Sequence, residues 1–311
     1  MSCLLGNFAS SPVLWSGHAL KVPRFESLYR PASRLHSAQA HPVDRKSIAH
    51  RLTGRRGLSA NDERFPSAEA LAIPCFAGSA EDAADLVVSR ALSREGGFAV
   101  LCNVHVLTTA QRDPNLRAAL NQAWAVFPDG APVAWLLRRS GAPNASRIAG
   151  MELMSAVIAR GIAHGLRHYF VGSTPEVLGK LERNLPERFP GMRLVGSTGP
   201  FGNEATLDSV VAQICESEPH VVWCAFGAPK QEFWMHRNAS ALAPVLLLGV
   251  GAAFDFHAGT KKRAPVWMQR AGFEWLHRLG SEPSRLASRY VITNSEFLAR
   301  ASIQLTKRGR R

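Results

Sequence analysis

From about residue 66, apolar and polar positions follow two alternating patterns. Short apolar runs rich in β-branched residues are typical of buried strands, and the segments between them have helical spacing. The predicted strands are residues 98–107, 125–130, 168–172, 192–197, 221–225 and 245–251. The predicted helices are residues 80–93, 113–123, 151–165, 173–185, 204–217 and 230–240. This alternation with short connections predicts an α/β fold, in which helices cover both faces of a mainly parallel sheet.

Two segments flank the predicted α/β body of residues 66–259. Residues 1–65 show no sustained periodicity and are rich in Ser, Pro, Arg and His, so we expect a basic, mostly disordered extension. A mitochondrial-type presequence is a less favoured interpretation, because Pro23, Pro31 and acidic residues interrupt the stretch. Residues 260–311 are rich in Arg and Trp and have helical spacing, which predicts a basic helical appendage.

The net charge of +13 is concentrated at the two ends of the chain. Residues 1–65 carry 10 Lys and Arg against 4 Asp and Glu, and residues 261–311 carry 12 against 3. Residues 66–260 carry 15 against 17 and are therefore close to neutral. Basic ends on a near-neutral body suit either nucleic acid or an anionic membrane surface as a partner.

Cysteine usage and hydropathy narrow the class of protein further. The five cysteines are scattered and include no C-x-x-C pair, which argues against a disulfide framework or a zinc site and favours a reducing compartment. No apolar run approaches the roughly 20 residues that a membrane-spanning helix needs. The N-terminus lacks a basic stretch followed by a clean apolar core, so no secretory signal is predicted.

The stretch 226–232, FGAPKQE, directly follows the predicted strand 221–225 and leads into a predicted helix. In open α/β sheets, ligands bind outside the carboxyl ends of the strands, in turns of this kind. The turn carries a cation, an amide and a carboxylate, so it is predicted to form one wall of a ligand site. Glu232 is either an ordinary first-turn carboxylate or a substrate contact.

Asn103 and Asp129 are polar residues in or after predicted strands. Asn103 is placed in the middle of the apolar run 98–107, where it is either a structural amide or a ligand contact. Asp129 belongs to an Asp-Gly turn, and such turns are common without any catalytic role. The alternative for Asp129 is a carboxylate at the edge of the sheet that acts as a general base.

Three further stretches are compatible with anion or nucleotide binding. Arg147 precedes a predicted helix and is either a solvated surface residue or an anion ligand. Gly172 and Ser173 lie where a strand meets a Pro-started helix, which is either an ordinary capped helix or an anion site. The stretch 249–255, GVGAAFD, resembles a dinucleotide fingerprint only weakly, because Phe254 stands where the third glycine belongs.

The appendage contains a basic set that is either a solvated face or an anion site. Its members are Lys261, Lys262, Arg263, Arg278, Arg285 and Arg289. Spacings of seven and four would place the last three on one side of a helix, interleaved with Trp and other apolar residues. Arginine forks match diphosphate oxygens, and an apolar face beside them suits a membrane interface. No acidic cluster is typical of a divalent-metal site, so we expect neither a metal nor another cofactor.

Taken in order, these stretches resemble the WecG/TagA/CpsF family of bacterial glycosyltransferases over roughly residues 70–295. The matching stretches are the strand with Asn103, RDPNLRAAL, the PDG turn, Arg147 with Gly150, VGSTPEVL, FGAPKQE, GVGAAFDFHAG, KRAP and EWLHRL with EPSRLASRY. Their collinearity makes the resemblance specific for the family and leaves the substrate open. Residues 1–65 lie outside it.

The resemblance implies a hexosyltransferase that moves a sugar from a UDP-sugar to a polyprenyl-diphosphate-linked acceptor, with inversion and without a metal. It implies exopolysaccharide or other surface-glycan biosynthesis on the inner face of the bacterial membrane, where the protein is peripheral. It also implies a Rossmann-like body whose appendage completes the site at an anionic membrane surface. A homo-oligomer is possible.

Carried over by position, the resemblance makes Asp129 the base that deprotonates the acceptor hydroxyl. Asn103 and Gln231 become substrate contacts, and Arg147, Gly172 and Ser173 are further candidate substrate-binding residues. Arg278, Arg285 and Arg289 become the cations that neutralise a diphosphate. One departure is Leu101, because family members often have Thr at that position, so the substrate of the teichoic-acid branch should not be assumed.

Two other classes of function are alternatives to the transferase. A basic nucleotide- or nucleic-acid-binding protein would explain the charged ends, but no nucleic-acid motif occurs and the body is net negative, so no nucleic-acid partner is expected. An NAD-dependent enzyme would depend on GVGAAFD alone.

Overall fold

The structure is a computed structural model that describes residues 65–199, 204–265, 267–268, 274–281 and 283–308. For residues 204–208, 278, 281 and 283–290 it describes the backbone alone. The predicted extension of residues 1–65 therefore lies outside the described residues, apart from Phe65.

The described chain contains eight strands. In order they are β1 (Ser67–Ala70), β2 (Ile73–Phe76), β3 (Gly97–Cys102), β4 (Ala125–Pro128), β5 (Arg167–Gly172), β6 (Arg193–Thr198), β7 (Val221–Ala225) and β8 (Leu246–Gly249). The first two pair in an antiparallel hairpin, and the other six form one parallel sheet in the order β4-β3-β8-β7-β5-β6.

Helices connect and cover the strands. They are α1 (Ala80–Leu92), α2 (Val104–Arg112), α3 (Pro114–Gln122), α4 (Ala131–Arg139), α5 (Gly150–Gly161), α6 (Pro175–Arg188), α7 (Glu204–Ser217), α8 (Lys230–Asn238), α9 (Ala253–His257), α10 (Glu274–Ser281) and α11 (Pro283–Arg308). A short 3-10 turn, Ile162–His164, follows α5.

Two apolar clusters, one on each face of the parallel sheet, form the core. Successive residues of a strand point to opposite faces, so Val222 and Cys224 belong to one cluster and Val221 and Trp223 to the other. Strand β7 is buried along its whole length, as expected for a parallel strand that is covered on both sides. The predicted α/β class, with a parallel sheet, helices on both faces and helices at the C-terminus, is confirmed.

Local signals explain where several helices begin. Ser79 caps α1 in a capping box, in which its hydroxyl accepts from the Asp82 backbone N–H and the Asp82 carboxylate accepts from the Ser79 N–H. Asp113 caps α3, and Pro114 occupies the first helical position, where its missing N–H costs nothing.

The predicted strand 98–107 is wrong in its second half. Strand β3 ends at Cys102, and α2 begins at Val104. Asn103 is therefore not in the middle of a strand but is the N-cap of α2, and its Oδ1 accepts from the Val106 backbone N–H at 3.2 Å. The apolar residues of α2 face the core cluster next to β3, so one apolar run continues across the strand–helix junction.

The C-terminal half of α11 packs on the body. Phe297 and Ala301, one turn apart, are buried in the same cluster as Val106 and Leu107 of α2. Gln304 accepts from the Leu71 backbone N–H at 2.8 Å and donates to the Glu69 carbonyl at 2.9 Å. The domain boundary at residue 260 remains a prediction. None of the helices in the described ranges is both long and apolar enough to cross a bilayer.

Candidate functional site

Asn103 and Asp129 are the first residues after two paired strands. Cys102 of β3 is in register with Pro128 of β4. The Asp129 backbone N–H donates to the Cys102 carbonyl at 2.9 Å, which extends the ladder by one residue. The two polar residues therefore leave the sheet side by side at its carboxyl edge, each ahead of a helix, α2 or α4. This is the edge where ligands bind in open α/β sheets.

Strand β8, which pairs with β3, ends earlier than its two neighbours. Its last residue, Gly249, is in register with Val100 of β3 and Cys224 of β7, and both neighbouring strands extend further. The Gln231 amide fills the space above Gly249: a Cβ atom on that glycine would lie only 2.9 Å from Gln231 Nε2. Gly249 thus allows Gln231, the sixth residue of FGAPKQE, to lie over the centre of the sheet.

Glu232 is buried next to Gln231. Its relative exposure is 0%, and that of Gln231 is 4%. Gln231 Nε2 donates to Glu232 Oε1 at 3.0 Å. Burial raises the pKa of Glu232 to about 7. The pKa values of the Cys102 and Cys224 thiols are also raised, first by burial and in addition by the negative charge of Glu232. Glu232 therefore lies close enough to affect a thiol near the end of each strand that flanks β8.

Gly172 and Ser173 form a constrained turn at the end of β5. Gly172 has φ +98°, and a Cβ atom there would lie 2.9 Å from the Ala225 carbonyl oxygen, so glycine is required on both counts. Ser173 also has a positive φ of 68°, which is uncommon for a residue with a side chain. Thr174, not Ser173, caps α6 by accepting from the Val177 N–H. Ser173 is thus left out of the cap, and its binding role remains a prediction.

Arg147 is held by two carboxylates. Its Nη1 donates to Glu274 Oε2 at 2.6 Å, and its Nη2 lies 3.3 Å from Glu152 Oε1. Arg263 contacts the same two carboxylates, with Nη2 2.5 Å from Glu152 and Nε 3.6 Å from Glu274. We call these four residues the ion-pair tetrad. It places Arg147 in contact with α10, which the sequence did not predict.

The three arginines of the appendage belong to the two C-terminal helices of the described chain. Arg278 belongs to α10, whereas Arg285 and Arg289 belong to α11 and are four residues apart, on one side of that helix. Residue 282, between α10 and α11, lies outside the described residues, so the placement of all three arginines on one side remains a prediction. The positions of all three side chains lie outside the described part of the structure.

A cavity of about 410 Å³ lies at the opposite edge of the sheet. It is lined by residues at the start of β3 and β4, including Gly97 and Ala125, and by Arg90, whose guanidinium stacks over Trp124. The polar residues predicted to act in chemistry end their strands at the other edge, so we place the candidate site there and not in this cavity.

Two residues of this region were not assigned from the sequence. The sequence leaves Glu232 open between a first-turn carboxylate and a substrate contact, and it carries no signal for the burial that the structure shows. Glu274 carries no signal in the sequence, because its partner Arg147 is 127 residues away in the chain.

Leu101 is the residue that departs from the pattern of the family. It is 6% exposed, and its side chain packs closely on Gly150 at the start of α5.

Comparison with known proteins agrees with this architecture. Residues 68–311 match the Glycosyl transferase WecG/TagA/CpsF family. The chain is also similar to N-acetylglucosaminyldiphosphoundecaprenol N-acetyl-beta-D-mannosaminyltransferase of Bacillus spizizenii (strain ATCC 23059 / NRRL B-14472 / W23). The two are 30% identical over 191 residues, which cover 61% of this chain and 74% of the relative. The chain therefore belongs to the WecG/TagA/CpsF family of glycosyl transferases.

Proposed function

We propose that this chain transfers a sugar, with inversion, from a UDP-sugar to a polyprenyl-diphosphate-linked acceptor. The single observation that carries the proposal is the side-by-side placement of Asn103 and Asp129 at the carboxyl edge, next to the short end of β8 over which Gln231 lies. The name of the Bacillus relative supports the acceptor class, because that protein acts on a diphosphoundecaprenol-linked N-acetylglucosamine. Family membership does not favour a nucleic-acid-binding protein as the alternative.

In the proposed reaction, Asp129 removes the proton from the acceptor hydroxyl. The hydroxyl oxygen then forms a bond to the anomeric carbon of the donor sugar, and the bond from that carbon to the diphosphate breaks. UDP leaves with the electron pair, and attack from the opposite face inverts the anomeric centre. One base on the acceptor side is sufficient for such a displacement. Asn103 and Gln231 would hold the sugar through hydrogen bonds.

The leaving diphosphate needs positive charge. We propose that Arg147, Arg278, Arg285 and Arg289 supply it, in place of a metal ion. The tetrad supports this arrangement, because it already brings Arg147 of the body against the first residue of α10. Gly172 and Ser173 at the end of β5 would contact the donor through backbone or hydroxyl groups.

We further propose that the C-terminal helices contact the anionic inner face of the membrane. Seven of the eight large apolar side chains that are exposed within the described residues follow residue 266: Trp267, Trp275, Leu276, Val291, Ile292, Leu298 and Ile303. Apolar residues beside a basic segment suit a membrane interface. This location would bring the enzyme to a lipid-linked acceptor in exopolysaccharide or other surface-glycan biosynthesis.

A donor screen tests the proposed function. Purified protein is incubated with a panel of UDP-sugars, including UDP-N-acetylmannosamine, and a short-chain polyprenyl-diphosphate N-acetylglucosamine. We expect UDP release that depends on both substrates, and a product whose new linkage has the anomeric configuration opposite to that of the donor. Retention of configuration would contradict the single-displacement mechanism. UDP-sugar turnover that does not depend on the acceptor would contradict the acceptor assignment.

A further inference from the structure

Glu232 occupies a position that a glutamate rarely takes. It lies in the first turn of α8, where a carboxylate usually stays in solvent and complements the helix dipole. Here the side chain is fully buried, together with that of Gln231. Full burial of a glutamate is uncommon unless the carboxyl group is paired. A first-turn carboxylate can stabilise the helix dipole from a solvent-exposed position, so that role does not explain the burial of Glu232.

The pair uses only part of its hydrogen-bonding capacity. The Gln231 amide donates to Glu232 Oε1, and no protein group in the described part of the chain bonds to Gln231 Oε1 or Glu232 Oε2. A buried polar atom without a partner destabilises the fold, so such atoms are uncommon and often mark a functional site. Gln231 Oε1 lies 4.0 Å from the position of a Cβ atom on Gly251, just beyond the end of β8. The unpaired acceptor is therefore at the carboxyl edge, where Asn103 and Asp129 also lie.

The orientation of the Gln231 amide follows from its neighbour. A glutamate oxygen accepts hydrogen bonds, so Oε1 of Glu232 selects the NH₂ group of Gln231. The amide oxygen must then point the other way. Without this contact, the amide loses the acceptor that fixes its orientation, and it can turn its NH₂ group to the edge in place of its oxygen.

Burial also favours a protonated carboxyl group at this position. It raises the pKa of Glu232 to about 7, although the hydrogen bond from Gln231 acts in the opposite direction. A diphosphate donor brings further negative charge to the same edge. A neutral Glu232, with its proton on Oε2, keeps Oε1 available as an acceptor and avoids repulsion of the donor.

We propose that Glu232 is a positioning residue, which turns Gln231 so that its amide oxygen accepts a hydrogen bond from an O–H or N–H group of the transferred sugar. The inference rests on the proposed function, because it assumes a sugar donor at this edge. It adds a chemical requirement to that function. The transferred sugar must present a hydrogen-bond donor, such as a hydroxyl or acetamido N–H, to Gln231.

Binding of UDP and of a UDP-sugar to the same variants separates this role from a structural one. The ligands are UDP and the UDP-sugar that the wild-type protein turns over, and affinity is measured by calorimetry. In Glu232→Leu, the amide loses its orienting acceptor, so we expect UDP-sugar affinity to fall roughly 10-fold or more. UDP lacks the sugar, so the affinity of the variant for UDP should stay within about twofold of the wild-type value. Retained UDP binding also shows that the variant is folded.

Three further variants complete the test. Glu232→Gln keeps an acceptor oxygen and should restore most of the lost affinity for UDP-sugar. Gln231→Leu should lose as much as Glu232→Leu, and the double variant should lose no more than either, because one residue acts through the other. Glu176→Leu, at an exposed first-turn glutamate of α6 that pairs with Lys180, is the matched control.

The outcomes distinguish the two proposals. Unchanged UDP-sugar affinity in Glu232→Leu, or additive losses in the double variant, would overturn the role of Glu232 alone. Equal losses for UDP and UDP-sugar would show a general structural role and overturn it as well. Failure of the wild-type protein to bind any UDP-sugar would instead overturn the proposed function, on which this inference rests.

Discussion

Arg147 donates a hydrogen bond to Glu274 at 2.6 Å and thereby joins the loop before α5 to the first residue of α10. The two side chains are each about one-fifth exposed, so water screens their attraction only in part. Glu274 thus forms an ion pair with the guanidinium of Arg147, and we propose that this same guanidinium binds a diphosphate. A bound diphosphate would have to share Arg147 with this carboxylate or replace it.

Removal of the Glu274 charge should therefore favour anion binding. We expect Glu274→Gln to bind UDP about 3- to 10-fold more tightly than the wild-type protein, because the tetrad then carries one excess positive charge. The gain should shrink as salt is raised. Glu296→Gln is the matched control, since Glu296 pairs with Arg300 on α11. Equal UDP affinities for Glu274→Gln and the wild type would argue against a role for Arg147 in diphosphate binding.

Glu232 should make stability depend on pH. Its pKa is raised to about 7 by burial, so the folded protein binds this proton more tightly than the unfolded chain. Its contribution to the free energy of unfolding should therefore fall as the pH rises from about 4.5 to about 7, by at most about 3 kcal/mol. Above that range the contribution is constant.

The measurement is the difference between the wild-type protein and Glu232→Gln in urea denaturation at several pH values. A difference is needed because burial lowers the pKa values of His168 to about 3 and His257 to about 4, and these residues favour folding as the pH rises. Glu95→Gln, at an exposed loop residue, is the matched control substitution. A wild-type-minus-variant difference that stays constant between pH 5 and pH 8 would contradict the burial of an ionisable Glu232.

The contact between α11 and the body predicts a sharp contrast between two neighbouring residues. Phe297 is 2% exposed in the core cluster, whereas Leu298 is 60% exposed. Phe297→Ala should reduce the free energy of unfolding by about 3–5 kcal/mol through lost contacts and a cavity. Leu298→Ala should change it by no more than about 0.5 kcal/mol. Similar values for the two variants in urea denaturation would show that α11 does not pack as described.

The exposed apolar residues of α11 give a test of membrane contact. Val291 and Leu298 are seven residues apart on one side of the helix and are 69% and 60% exposed. We expect the double variant Val291→Glu/Leu298→Glu to lose at least about 10-fold in affinity for phosphatidylglycerol vesicles, with little change in thermal midpoint. Trp135→Glu, outside the C-terminal segment, should bind as the wild type does. Undiminished sedimentation of the double variant with vesicles would contradict the proposed interface.

Much of the architecture could be predicted from the sequence, because buried parallel strands are continuous apolar runs and the intervening helices begin at clear caps. The junction at Asn103 was missed because the apolar residues of α2 continue the run of β3. In retrospect, an Asn followed by apolar residues at positions 106, 107 and 110 is also an N-cap signal. The β1–β2 hairpin was missed because its strands have four residues each and one contains Pro74.

The candidate site could be predicted only in part. A residue that directly follows a strand can be placed at the carboxyl edge from sequence, and this placement is one of the two interpretations that the sequence allows for Asp129. The order of strands cannot be read in this way, and β8, the last strand, lies between β3 and β7. The position of β8 between β3 and β7 brings the short end of β8, with Gln231 and buried Glu232, next to the ends of β3 and β4. The pairing of Arg147 with Glu274 likewise depends on the tertiary fold.

The central claim is that Asp129 is the base for transfer to a lipid-linked acceptor. The most direct measurement is the rate of UDP release by Asp129→Asn, with saturating UDP-sugar and polyprenyl-diphosphate-linked acceptor. Asp113→Asn is the control, because Asn can still cap α3. We predict a fall in turnover of roughly 10²- to 10⁴-fold for Asp129→Asn, with UDP-sugar affinity nearly unchanged. Turnover equal to that of the wild type and of Asp113→Asn would contradict the claim.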